Sequence, residues 1–432
     1  MAKDDSKLPP SGRFTRFRKL AGLSAQLGGD VISRGVKRLT GSDQSLMSKG
    51  TAEKLVATLG DLKGAAMKFG QAVSMEPDLL TPEVRTVLSR LQNEAPPMAY
   101  AQVTEVMEEE LGAPPEKLFA SFEESPTAAA SLGQVHRARL QDGREVAVKV
   151  QYPGIATALN SDLDTLGALV KTVAKASRGL DGTAYYKELR TELLLETDYE
   201  REALLAREFA DAVRPLGDLR VPEVVPTRSS RRVLTLEYLE GPTLKSFLAS
   251  EPDAQARARV SRLLLRAIYG PFLRTGQIHA DPHPGNFLVM PDGRLGLLDF
   301  GSVKRLPMAF VQSVRGAIER TVAGDEVSGL DFLREVGFTL ELPDEEAEGF
   351  VREVVEIGGR PLRVAEYDHG TCAITRDMRK LFAANLQVAM KIRPPSETVM
   401  FWRSVGGCTQ NLKLLGARFD VAGVMRELLA VA

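Results

Sequence analysis

Ile278-His279-Ala280-Asp281-Pro282-His283-Pro284-Gly285-Asn286-Phe287, followed after a short hairpin by Leu298-Asp299-Phe300-Gly301, is the stretch on which the reading of this chain turns. An aspartate, an asparagine five positions on and then an Asp-Phe-Gly supply one group to orient or deprotonate an attacking hydroxyl or water. They also supply two hard oxygen donors, Asn286 and Asp299, suited to magnesium. Phosphate on ATP is the implied target. His279, Asp281 and His283 also alternate as zinc ligands sometimes do, but only His136 and His369 remain elsewhere to complete such a site. Orientation of the loop by histidine hydrogen bonds is the better reading.

Upstream lie the other parts that phosphoryl transfer needs, since its catalysis consists of positioning phosphates and neutralising their charge. The pattern alternates over residues 134–140, Asp142-Gly143 offers a hairpin turn, and residues 144–150 alternate again. Val146-Ala147-Val148-Lys149 closes that hairpin on a rigid β-branched strand from which Lys149 can reach the α and β phosphates. A lysine in this role needs a fixed acidic partner. Glu196, Glu200 and Glu202 all lie on the expected helix; helical geometry puts Glu196 and Glu200 on one face and Glu202 well round from both, and spacing does not choose among them. Glu237 and Tyr238, ending a strand candidate at 232–238, join Lys149 and Ala128, Ala129, Ala130 and Ser131 as candidate nucleotide-binding residues.

Strand, helix and strand signals in that order have the shape of a protein-kinase N-lobe, and after Glu240-Gly241-Pro242 the pattern is mostly helical. The expected fold is therefore α+β: a bilobal protein-kinase-like fold with a helical N-terminal extension and a mostly α C-lobe. Residues 1–45 read as a flexible basic leader, 46–115 as the helical extension, 116–240 as the N-lobe and 241–432 as the C-lobe. A helix is expected from Tyr100 to Leu111, ended by Gly112, and two long ones over 161–177 and 183–213. Several kinase features are missing. Ala128-Ala129-Ala130-Ser131 stands where a glycine-rich loop would be, and its methyl groups restrict how closely backbone amides approach phosphate. No Ala-Pro-Glu follows the Asp-Phe-Gly, and Ala280 replaces the arginine that would couple to a phosphorylated activation loop.

Composition sets bounds. The chain of 432 residues is 44% hydrophobic, with 56 basic against 57 acidic residues, so no global field points to nucleic acid. Two cysteines make no disulfide framework, and a reducing, cytoplasmic compartment is the natural expectation. No apolar run reaches the roughly 18 residues of a bilayer span. Leu20, Leu23, Leu27 and Val31 recur at helical spacing among Arg13, Arg16, Arg18, Lys19, Arg34, Lys37 and Arg38, which suits either a helix that packs on its own domain or stays loose, or reversible contact with an anionic surface such as the inner face of the cell membrane.

Lys68-Phe69-Gly70-Gln71, Ala128-Ala129-Ala130-Ser131, Val146-Ala147-Val148-Lys149, Glu196-Thr197-Asp198, the run from His279 to Asn286 and Asp299-Phe300-Gly301, all in order, resemble the UbiB (ABC1/ADCK/AarF) family of atypical protein-kinase-like proteins. The resemblance implies that the extension carrying Lys68 and Gln71 lies across the active site and is engaged by Glu196 and Asp198. It makes Glu202 the partner of Lys149, with Asp281 positioning the nucleophile and Asn286 and Asp299 binding the metal. It further implies adenine nucleotide (ATP or ADP) with Mg2+, slow ATPase activity, and a role in ubiquinone or other isoprenoid-lipid pathways, with an isoprenoid or quinone-type lipid as partner. A catalytically silent nucleotide-sensing scaffold and a conventional protein or small-molecule kinase are the alternatives.

Overall fold

In the computed structural model the described residues are 97–130, 132–161, 163, 164, 167, 190, 191, 193–395 and 398–431. Lys68, Gln71, Ser131 and the basic segment 13–38 lie outside them. The chain divides into two compact units, the first holding the described residues up to Gly143 with Val148–Asp198 and Ser230–Val233, the second holding Arg144–Ala147, Tyr199–Ser229 and Leu234–Ala432.

In the first unit, helix α1 (Tyr100–Leu111) buries Val103, Val106 and Met107 along one stripe. Gly112, at a φ of 78°, ends it by returning its N–H to the Glu108 carbonyl at 3.0 Å. Strands β1 (Ser121–Phe122) and β2 (Ala128–Ala130) both pair antiparallel with β3 (Gly133–Arg139), which neighbours β4 (Glu145–Gln151). The β3–β4 turn is the one expected, with Gly143 at a φ of 87°. Ala128–Ala130 form strand β2, in register Ala128↔Val135, Ala129↔Gln134 and Ala130↔Gly133. Alanine is a poor strand former, so this pairing comes from its neighbour rather than from its own propensity. Behind the hairpin, Leu132, Ile155, Leu159, Leu163 and Leu193 form an apolar cluster.

The second unit opens with helix α2 (Tyr199–Val213), whose Tyr199, Ala203, Ala206 and Phe209 enter the main core. The expected continuous helix over 183–213 is broken just before it: Glu196 and Thr197 lie in a turn and Asp198 has no regular structure. Thr197 donates its hydroxyl to the Leu194 carbonyl at 2.7 Å, and Gln151 Nε2 donates to the Thr197 carbonyl at 2.8 Å, which stabilises the break. Glu196 and Glu202 therefore do not share one helix, and the helical-face comparison between them lapses. Strand β5 (Leu219–Arg220) runs parallel to the strand Leu295–Leu297, while β6 (Val233–Glu237) begins in the first unit and ends in the second.

Helix α3 (Ala254–Thr275) is the central beam of the second unit. Asp253 caps it by accepting the Ala256 N–H at 2.7 Å, and Val260, Leu264, Ile268 and Phe272 are buried along it. Next come β7 (Gln277–His279), β8 (Phe287–Val289), β9 (Leu295–Leu297) and β10 (Val303–Arg305). Among the elements that follow are helices α4 (Met308–Ala323), α5 (Asp344–Gly359), α6 (Ile374–Ala384), α7 (Val399–Leu415) and α8 (Val421–Val431). A separate apolar cluster, including Leu333, Ala347, Phe350, Val351 and Leu381, sits under α5 and α6. Among the described residues no helix is long and apolar enough to cross a membrane.

Candidate active site

Strand register gathers the site. β7 and β10 are antiparallel with His279 opposite Val303, so the loop leaving β7 starts where the chain returns from Asp299-Phe300-Gly301. β8 and β9 pair with Phe287 opposite Leu297, and the Leu298 N–H donates to the Asn286 carbonyl at 2.8 Å. Asn286 and Asp299 thus flank the same end of one two-stranded ladder although thirteen positions separate them.

Asp281 is 4% exposed. Asn286 Nδ2 donates to its carboxylate Oδ2 at 3.1 Å and to its carbonyl at 3.0 Å, which fixes the two side chains relative to each other. His283 accepts the Gly285 N–H on Nδ1 at 3.1 Å and shapes the turn between them. His279 Nε2 lies 2.8 Å from the Asp299 carbonyl and 3.3 Å from that of Leu298. Carbonyls only accept, so Nε2 carries the hydrogen. The other face of this imidazole sits among the rings of Phe209, Phe287 and Phe300, with centroids about 6 Å away. Both histidines hold loop backbone, as the sequence suggested. Among the described residues no group of three or more His, Cys, Asp or Glu is arranged to hold a metal through protein donors alone.

Asp299 has a φ of 61°, a left-handed conformation that costs a residue with a Cβ about 1–2 kcal/mol. Four contacts hold it there. His279 takes its carbonyl, the Gly301 N–H reaches its Oδ1 at 3.3 Å, Glu202 Oε1 accepts the Phe300 N–H at 3.2 Å, and Arg201 donates to the Gly301 carbonyl at 2.9 Å. Phe300 itself is fully buried beside Phe209. Glu202, 3% exposed, therefore clamps the backbone of the Asp-Phe-Gly segment from α2. Such a clamp converts a strained backbone into a fixed direction for the Asp299 carboxylate.

The remaining candidates are placed as follows. Lys149 is half-buried on β4 in the first unit, as are Glu196 and Asp198 in the break before α2, while Ala128 and Ala129 are exposed on β2. Glu237 turns its carboxylate to Arg220, at 2.6 and 2.7 Å, and to the Glu223 N–H at 3.1 Å; the Tyr238 N–H donates to the Glu145 carbonyl at 3.0 Å.

Sequence reasoning missed the support from α7. Ser404 Oγ donates to the His279 carbonyl at 2.8 Å, Asn411 Nδ2 to the Pro282 carbonyl at 2.7 Å, and Arg403 Nη2 stands 3.6 Å from Asp281 Oδ1. Helix α7 runs unbroken through Gly406-Gly407-Cys408. Small buried Ser404, Gly407 and Cys408 make its inward face. Burial pushes the Cys408 thiol up to about 12, which makes it a packing group and not a nucleophile. No local pattern advertises these contacts, because the partners lie more than a hundred positions away.

Residues 90–329 match the family model of the ABC1 atypical kinase-like domain. The chain belongs to this family. Over 411 residues it is 32% identical to the atypical kinase COQ8B, mitochondrial, of Rattus norvegicus, a match spanning 92% of this chain and 77% of that one. Over 433 residues it is 26% identical to the atypical kinase COQ8, mitochondrial, of Saccharomyces cerevisiae, spanning 98% and 85%. Against the atypical kinase coq-8, mitochondrial, of Caenorhabditis elegans the identity is 30%, with the chain spanning 58% of that protein's length. The solved complex of Rv3197 with erythromycin from Mycobacterium tuberculosis is similar at a TM-score of 0.63 and 30% identity, covering 88% of this chain and 96% of that one. Membership in the ABC1 family establishes the α+β kinase-like fold expected from the motifs.

Proposed function

We propose that this ABC1-family chain binds MgATP and hydrolyses it slowly, in support of ubiquinone or another isoprenoid-lipid pathway. The observation that carries this reading is the placement of Asp281, Asn286 and Asp299 at the ends of β7, β8 and β9, where Asn286 donates to the Asp281 carboxylate, the Leu298 N–H beside Asp299 donates to the Asn286 carbonyl, and His279 donates to the Asp299 carbonyl. One carboxylate and one amide, flanking a single ladder end, are a donor set that fits a magnesium ion completing its octahedron with phosphate and water oxygens. Such an ion, held by Asp299 and Asn286, would neutralise charge on the phosphates. Asp281 would orient or deprotonate the attacking water, and Asn286 would hold Asp281 in place. His279, Glu202 and Arg201 keep the Asp299 backbone in its left-handed turn. The roles of Lys149 as phosphate anchor, of Glu202 as its partner, of Ala128, Ala129, Ala130, Ser131, Glu237 and Tyr238 as nucleotide contacts, and of Lys68, Gln71, Glu196 and Asp198 in the extension rest on their motifs.

The test is nucleotide binding and phosphate release by the full chain. Asp299→Asn should abolish the metal-dependent part of the thermal shift given by MgATP; an unaltered shift removes the site assignment. Phosphate release should respond to added anionic lipid or phenolic quinone precursors, whereas a silent scaffold would release none and a conventional kinase would label added proteins. The proposed peripheral membrane contact requires that deletion of residues 1–45 weaken co-sedimentation with anionic vesicles.

A further inference from the structure

Between Asp281 and Asn286 the loop carries no lysine or arginine. A basic side chain beside the Asp281 carboxylate comes from α7, 122 positions further on, where Arg403 Nη2 lies 3.6 Å from Oδ1. That distance is too long for a hydrogen bond and short enough for a strong Coulomb contact. Asp281 is 5% exposed at its side chain and Arg403 29%, so the carboxylate is shielded from water on a side where the guanidinium still reaches solvent. Asn286 holds the other oxygen, Oδ2.

From this geometry we infer that Arg403 is a positioning residue for the reaction: it holds the Asp281 carboxylate aimed, acting through Asp281 and not on the nucleotide. The inference deepens the ATP-hydrolysis reading and rests on it. Two neighbouring hydrogen bonds separate this role from simple packing. Ser404, the next residue, fixes the carbonyl of His279, and Asn411, two turns on along the same helix, fixes that of Pro282. The backbone on both sides of Asp281 is thus already anchored by α7 without Arg403. What Arg403 adds is charge at Oδ1, opposite the neutral amide at Oδ2. Arginine suits this place, because a guanidinium is planar and weakly hydrated.

The experiment is a double-mutant cycle on the full chain: Arg403→Ala, Arg403→Lys, Asp281→Asn and Arg403→Ala with Asp281→Asn. Phosphate release, KM for MgATP and thermal midpoint are measured for each. Arg403→Ala should lower kcat about tenfold or more while KM moves less than about twofold, Arg403→Lys should recover part of the loss, and Arg403→Ala should have no further effect on kcat once Asp281 is asparagine. A kcat within twofold of the parent, or a loss that is the same in the Asp281→Asn background, overturns the inference. If the parent chain binds MgATP but releases no phosphate, the hydrolysis reading fails by itself. The cycle in thermal midpoint then decides the Arg403–Asp281 coupling: a drop on Arg403→Ala that vanishes in the Asp281→Asn background supports it, and additive drops overturn it.

Discussion

Replacing Gly133 with alanine sets two effects of opposite sign against each other. Gly133 is a buried strand residue whose φ is not in the left-handed region, so on chain entropy alone alanine should stabilise the protein by about 0.5–1 kcal/mol. Its Cβ, however, would stand 2.1 Å from the Val150 carbonyl oxygen and 2.8 and 2.9 Å from the Val150 carbonyl carbon and the Gln151 Cα. Carbon–oxygen contacts begin at roughly 3.3 Å, so β3 and β4 would have to part by about 1 Å. The obstacle is backbone and not a side chain that can swing away, and Val150 and Gln151 are themselves buried. Overpacking of this kind costs about 1–3 kcal/mol. The separation would also strain the bond from the Tyr152 N–H to the Leu132 carbonyl, now 3.0 Å, at about 1 kcal/mol. The clash wins, and Gly133→Ala should destabilise by about 1–3 kcal/mol. Denaturant unfolding should show a lower midpoint at unchanged slope, and hydrogen exchange should show loss of protection at the Tyr152 amide. A midpoint equal to or above that of the parent refutes the close approach of β3 to β4.

The other predictions concern the second unit. Gly406 lies exposed within α7 with nothing inside 4 Å of a Cβ, so Gly406→Ala should raise stability by about 0.5–1 kcal/mol, and a loss in thermal denaturation would show that the helix does not continue through it. Because Asp299 is left-handed, Asp299→Gly should be more stable than Asp299→Ala by about 1 kcal/mol although both lose metal-dependent nucleotide binding; equal stabilities contradict the backbone geometry. Burial lowers His369 from 6.5 to about 4, so the folded state keeps it neutral. Stability from this group is complete above pH 6.5 and is lost as pH falls towards 4, by up to about 3 kcal/mol. In His369→Phe, which can keep the stacking on Phe419, the loss over that window should shrink; an identical acid profile would remove His369 as its cause.

What the sequence discloses depends on how local the deciding interaction is. The β3–β4 hairpin was legible from Asp142-Gly143, and α1 from its apolar stripe and Gly112, because turn and cap chemistry sit beside the elements they shape. The loop from His279 to Asn286 and the Asp-Phe-Gly segment were legible for the same reason. By contrast, the break at Glu196-Thr197-Asp198 depends on Gln151, 46 positions away, reaching the Thr197 carbonyl, and residues 183–213 alone look helical. The two-residue strand β5 has no periodicity to read, and it exists because β9 offers Leu219 and Arg220 a parallel partner. The alanine strand β2 is likewise imposed by β3. Arg201, Arg403, Ser404 and Asn411 carry no motif at all, and only their placement against the loop backbone identifies them.

These unadvertised residues explain how a loop with three prolines or glycines in four positions, Pro282, Pro284 and Gly285, can serve as a precise scaffold. Proline at 282 and 284 removes two backbone donors, so the segment cannot stabilise itself by a regular hydrogen-bond ladder. Its order has to come from carbonyls accepting bonds from outside. The His279 carbonyl takes Ser404, the Asp281 carbonyl takes Asn286 and the Pro282 carbonyl takes Asn411, while on the facing segment the Asp299 carbonyl takes His279 and the Gly301 carbonyl takes Arg201. Every one of these donors is a side chain, and four of the five sit on α2, α7 or β7, elements that are themselves anchored in the main core. The rigidity of the candidate site is therefore borrowed from the helices around it, and substitutions on α7 should reach the chemistry even though α7 lies beyond the matched domain, which ends at residue 329.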